Sequence, residues 1–241
     1  MNQSSSASSK PPVHFRYTFA FAKKSKTFDV FLHPETLQLQ KELPKDPPQW
    51  TRLSYEQCTN CPLKETQSPH CPIALNLVDV IEYFRNEISC EEVDVEITTK
   101  ARTCVKRTPL QFALSSLVGI YMVTSGCPVM DPLRPLAQTH LPFATLEETM
   151  SRALSLYLMT QYFRFREGKE PDWELKGMVK IYSDIQTANL GLRNRFAKSG
   201  IQDAGLNAIV HLDCYARFTN IVLLEKELLN LKPMLRLLSE S

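Results

Sequence analysis

Residues 58 to 71 read Cys-Thr-Asn-Cys-Pro-Leu-Lys-Glu-Thr-Gln-Ser-Pro-His-Cys, which gathers Cys58, Cys61, His70 and Cys71 into one short stretch. Two thiolates separated by two residues can grip a tetrahedral cation from a single tight turn, and Cys71 returns with a third soft ligand. A closed structural zinc site takes four. We expect the fourth to be Cys127, in Ser-Gly-Cys-Pro after a long apolar segment, because a ligand there would tie the front of the chain to its rear. His70, beside Cys71, is the alternative fourth ligand. An iron–sulfur cluster is the rival cofactor. Cys-Pro occurs at 61, 71 and 127, and proline after a cluster cysteine is part of the bacterial ferredoxin run, although that run's short thiol spacings are missing. Free thiols packed as small hydrophobes are the metal-free reading, and they are the expected state of the isolated Cys90, Cys104 and Cys214.

A second group of residues suits ligand binding rather than metal. His140 stands in Thr-His-Leu-Pro-Phe, near the end of a proline-rich connection. Asn189 interrupts a helical seam of Met178, Tyr182, Ile185, Leu192 and Phe196, where an amide must be met by partners or by water. Asp203, Asn207 and His211 follow at i, i+4 and i+8 along the edge of the next apolar face. The candidate ligand-binding residues are therefore Asn189, Asn207, His211 and His140. The competing reading is packing: one amide in a seam can fix helix register, and a polar flank is ordinary on an amphipathic helix.

Composition removes several function classes. The 28 basic and 26 acidic side chains leave a net charge of +2, so no global field draws the chain to nucleic acid. The local basic groups, Lys23-Lys24-Ser25-Lys26 and Lys100 to Arg107, carry no interleaved stacking aromatics. The longest apolar run, Leu110 to Thr124, falls short of the roughly 18 residues a membrane span needs, so we expect no membrane partner. Seven cysteines, an odd number, in a chain whose N-terminus has no apolar signal core, point to a reducing cytoplasmic setting. No phosphate-cradling glycine loop, nucleophile elbow or His-Glu-x-x-His is present, so no enzyme class is assigned.

The elements that must position these residues follow from periodicity. Val13, Phe15, Tyr17, Phe19 and Phe21 alternate with more polar residues, and Phe28, Val30, Leu32, Leu37 and Leu39 continue the pattern. That predicts a three-stranded antiparallel meander over 13–40, with a short edge strand at Trp50 to Tyr55. A helix should run from Pro72 to Phe84, followed by an acid-faced strand (Val93, Val95, Ile97) paired with a base-faced one carrying Arg102, Lys106 and Arg107. Thr108-Pro-Leu-Gln reads as a capping box opening a central apolar helix that ends at Gly126. After a loop holding Pro128, Pro132, Pro135 and Pro142, Thr145-Leu-Glu-Glu opens a helix to about Glu167; a third should start at Pro171–Asp172 and a fourth run from Asp203 to Leu231. The expected fold is α+β: a disordered leader (1–12), a small antiparallel β-rich domain with one helix and the cysteine cluster (13–107), and a C-terminal four-helix bundle (108–241).

The segments Cys-Thr-Asn-Cys-Pro-Leu, Ser-Gly-Cys-Pro, His-Leu-Pro-Phe-Ala (140–144) and Asp-Ala-Gly-Leu-Asn-Ala (203–208) resemble those of a family of uncharacterised bacterial proteins, a likeness running from about residue 50 to the end. The resemblance implies a bacterial cytosolic protein and carries no activity or catalytic residue with it. The residues themselves support a zinc-stabilised interaction or regulatory protein with a protein partner and an open oligomeric state. The alternatives are an enzyme or small-ligand-binding protein using the polar site in the bundle, and an iron–sulfur or thiol redox sensor.

Overall fold

Alternation at Phe15, Tyr17 and Phe19 builds β1 (Val13–Ala20), whose inward side chains are buried; Phe19 meets Phe84 with ring centroids 5.0 Å apart. The computed structural model describes residues 10–201 and 203–224. β1 is the centre of a five-stranded antiparallel sheet in the order β3-β2-β1-β4-β5, with β2 (Ser25–Leu32), β3 (Leu39–Gln40), β4 (Glu92–Thr99) and β5 (Thr103–Pro109). The meander over 13–40 and the acid–base strand pair both form as expected. Asp94 faces Arg107 across the β4–β5 ladder at 3.7 Å, but both side chains are solvated, so the pair adds little.

Three local expectations fail for identifiable reasons. The edge strand at Trp50 to Tyr55 is instead a 3-10 turn (Gln49–Thr51) followed by a single bridge from Arg52 to His70, because Pro48 presents its carbonyl to the Thr51 amide at 2.9 Å. The helix after Cys71 breaks into α1 (Pro72–Asn76) and α2 (Val78–Phe84): the Asn76 side chain bonds back to the Pro72 carbonyl, and the Leu77 amide is shared between Ile73 and Ala74. Thr108 does not cap α3 (Leu110–Thr124). It belongs to β5, and the first amides of α3 are met by the carbonyls of Glu91 and Ser89, both at 2.9 Å.

Farther along, the chain follows the pattern more closely. Gly126, at φ 84°, ends α3 as a left-handed residue must. The proline-rich connection is ordered as a 3-10 stretch (Asp131–Thr139), where proline's fixed φ is tolerated and few amide donors are needed. The capping box at Thr145 and Glu148 is present in both directions and opens α4 (Leu146–Arg166). α5 (Lys176–Lys198) starts later than Pro171–Asp172 because Leu175 is left-handed, yet the Asp172 carboxylate still caps it through the Lys176 and Gly177 amides. α6 (Ala204–Leu224) completes the set. The stretch of that helix expected beyond Leu224 lies outside the described residues, as do residues 1–9 of the expected leader; Lys10 to Pro12 are exposed and without regular structure.

The result is an α+β fold in which one hydrophobic cluster runs from Phe15, Val30 and Ile97 on the sheet through Phe84 and Leu117 to Phe196 and Ala208. α6 packs along both α5 and α3, and α4 leans on α6 and the 3-10 stretch. Among the described residues no helix is long and apolar enough to cross a membrane.

Candidate metal centre and adjoining cavity

Each of the four expected cysteine ligands is held by a separate local device. Cys58 and Cys61 flank a tight turn closed by the Cys61 amide on the Cys58 carbonyl at 3.0 Å, and Asn60 fastens that turn to α5 by donating to the Asp184 carbonyl at 2.9 Å. Cys71 stands at the N-terminus of α1, its amide bonded to the Thr51 carbonyl at 2.8 Å. Cys127 follows Gly126 in the turn after α3. At both Cys71 and Cys127 the next residue is proline, which has no N–H, and the two amides after it lie close to the sulfur: Ile73 and Ala74 in one case, Val129 and Met130 in the other. None of the Cys71 contacts is a formal capping hydrogen bond, but both amides favour its thiolate form. Cys-Pro is thus a device for aiming backbone dipoles at sulfur.

The four thiols sense one another. Burial pushes Cys58 up to about 12, and the thiolates of Cys71, Cys127 and Cys61 push it in the same direction. Burial likewise raises Cys127 to about 11, with Cys71 and Cys61 adding to it, and it raises Cys71, with Cys61 adding to it. Burial thus favours the protonated form of Cys58, Cys71 and Cys127, and ionising them together requires positive charge. One source is at hand. Arg195 on α5 is only 2% exposed, and it acts on Cys58 and Cys71 in the thiolate-favouring direction. Its guanidinium donates to the carbonyls of Trp50 and Arg52 at 2.6 Å and of Leu53 and Glu56 at 3.2 Å. Those four acceptors satisfy its donors but not its charge, and among the described residues no carboxylate pairs with it.

The helix wall is fitted to the sulfur. Cys58 Sγ lies 3.7 Å from the Ala188 carbonyl, and a methyl group added at Gly191 would stand 2.5 Å from the same sulfur, so only glycine leaves room for it. His70, the alternative ligand, has its Nδ1 2.8 Å from the Thr51 hydroxyl. Among the described residues, no three His, Cys, Asp or Glu side chains are already grouped around the position of a single metal ion. Cys90 and Cys214 are exposed and Cys104 is half-buried, so these free thiols are not the packed hydrophobes expected, and none of them acts on Cys58, Cys71 or Cys127.

A cavity of about 430 Å³ lies on the other side of the same walls. Met130, whose amide faces Cys127, and Asn189, which follows Ala188, both line it. His140 and His211 line it too. His140 Nε2 is 2.5 Å from the Tyr17 hydroxyl, and burial lowers its basicity to about 3, with the Arg152 charge adding to the effect. The imidazole is therefore neutral at ordinary pH. His211 is edge-on to Phe112 and Tyr215, with Nδ1 3.0 Å from the Ser115 hydroxyl, and burial also lowers its basicity. Asn207 is not among the walls; its amide holds Ser89 Oγ at 3.0 Å and Asp203 at 3.1 Å.

Sequence reasoning passed over Arg195, and a signal for it existed. The seam on α5 advances by three or four residues, and the step of three from Leu192 falls on position 195, inside the buried arc. An arginine there must bring its partners into the core.

The chain belongs to the family described as Domain of unknown function (DUF6901), which matches residues 13–235. No curated protein and no solved structure matches it.

Proposed function

We propose that this chain is a metal–thiolate protein in which Cys58, Cys61, Cys71 and Cys127 hold one centre, zinc or an iron–sulfur cluster, that ties the 58–71 loop to the helices. The observation that carries the reading is a set of four cysteines within electrostatic reach of one another beside a buried guanidinium that has no carboxylate partner among the described residues. Protonated thiols would leave the arginine charge uncompensated; four bare thiolates would repel one another. A divalent ion held by four thiolates carries a net charge of about −2, which Arg195 and the Cys-Pro amides offset. Binding energy at such a site is folding energy, because the unfolded chain has no preformed site. We read the protein as a cytoplasmic interaction or regulatory module whose fold depends on that centre.

An iron–sulfur cluster, which places its own iron and sulfide between the thiolates, is the rival occupant. In that form the centre is also a redox sensor, since oxidation of its thiolates releases the metal. Elemental analysis of protein purified without oxygen separates the cases. We expect either one zinc per chain, or iron with a matching amount of acid-labile sulfide and visible absorbance. Protein that is folded, monodisperse and free of both would overturn the proposal.

A further inference from the structure

We infer that the cavity bounded by α3, α5, α6 and the 131–139 stretch binds a small molecule with a carboxylate head and an apolar body, with Arg152 holding the head. The inference does not depend on the metal centre.

Two polar groups in the cavity wall lack what they need. Asn189 is 2% exposed, and its Oδ1 has no partner among the described residues. A buried acceptor left unmet costs about 1–3 kcal/mol, so a group so placed is either a defect or half of a contact. Arg152, on α4, spends one nitrogen on the 3-10 stretch: Nη2 donates to the Leu136 carbonyl at 3.0 Å and the Thr139 carbonyl at 2.6 Å. Its Nε is buried with no partner, and no ion pair neutralises it among the described residues. Glu148, one turn earlier, interacts electrostatically with Arg152, but it is engaged in the capping box, where one of its oxygens accepts from the Thr145 amide at 2.7 Å. The guanidinium therefore has an unmet Nε donor and a charge to be matched, and a carboxylate supplies an acceptor and the opposite charge.

The remaining wall specifies the rest of the ligand. Met122, Met130, Leu133, Ile185 and Leu212 make most of the lining apolar, and the volume lies within the range of small-molecule sites. The two methionines can adapt to different body shapes. The two histidines present neutral rings, so neither competes with Arg152 as the anion's partner. Asn189 asks for a hydrogen-bond donor, which a hydroxyl or amine on the body would provide. Straight-chain and aromatic acids share this head chemistry, and the body distinguishes them.

The test uses the full chain as purified and two acid–alcohol pairs, octanoate with octanol and 2-naphthoate with 2-naphthol, titrated by calorimetry. We expect saturable one-site binding of at least one acid, at least tenfold tighter than its alcohol. Arg152→Gln should remove that preference and leave the alcohol's affinity in place. Should Arg152→Gln not fold, Leu136→Trp fills the cavity from its 3-10 wall and should weaken acid and alcohol together by tenfold or more. Absence of binding by either acid at millimolar concentration overturns the inference. So does an acid that binds no better than its alcohol, a preference that survives Arg152→Gln, or affinity untouched by Leu136→Trp.

Discussion

Arg195→Met is expected to lower the unfolding free energy by about 3–5 kcal/mol, because several buried carbonyls lose their donor at about 1–3 kcal/mol each. Methionine matches the arginine stem in length and flexibility, so little packing is lost. What is lost is the common donor for four carbonyls, those of Trp50, Arg52, Leu53 and Glu56, which fold the segment before the cysteine turn around α5. The Arg52 carbonyl keeps the Tyr55 amide at 3.1 Å, but no other described side chain donates to the four, and each buried carbonyl left without a donor carries a desolvation cost. Lysine does not rescue the site, because one ammonium on a single stem cannot reproduce a planar fork that reaches two pairs of acceptors. Denaturant unfolding of parent, Arg195→Met and Arg195→Lys, with metal measured in each sample, checks this. Both variants should also retain less metal, since the cation that favours the Cys58 and Cys71 thiolates is gone or misplaced. Midpoints equal to the parent would show that the buried arginine holds nothing together.

If the proposed centre is present, Cys71→Ser should cost as much or more, about 4 kcal/mol, because loss of a structural metal is among the few mechanisms that produce effects of this size. The substitution keeps the backbone bond to Thr51 and is nearly isosteric, so a thiol that merely packs would be replaced at small expense. Cys104→Ser is the matched control. Cys104 sits on β5 and acts on none of Cys58, Cys71 and Cys127, so its replacement should leave metal content unchanged and stability within about 0.5 kcal/mol of the parent. Similar melting curves for the two serine variants would place Cys71 among the packing thiols.

Much of the fold was readable because its signals are periodic. The alternation at Phe15, Tyr17 and Phe19 and the three-four spacing from Met178 to Phe196 each describe a face that has to be buried, and the structure buries both. The failures lie where a competing local bond won. Thr108 carries the letters of a capping box, but its residue is spent on β5, and carbonyls from residues 89 and 91 reach α3 first. The 3-10 stretch at 131–139 gave no helical period because its prolines break the pattern while leaving the fold intact.

Spacing nominated Cys58, Cys61 and Cys71, and Cys127 was added for an architectural reason; the structure places charges of this set within electrostatic reach of one another without grouping three ligands around one metal position among the described residues. The charge beside the cysteines was not legible. Arg195 looks like an ordinary surface arginine until the helices are packed, and its significance comes from having carbonyls as partners where carboxylates would be usual.

X-ray absorption at the edge of whichever metal the protein carries tests the central claim most directly, because it counts the atoms around that metal. The proposed centre requires a first shell of four sulfurs at about 2.3 Å, with a further iron–iron shell if the occupant is a cluster. A first shell made of nitrogen and oxygen, or one sulfur among lighter atoms, would contradict the assignment of Cys58, Cys61, Cys71 and Cys127 as its ligands.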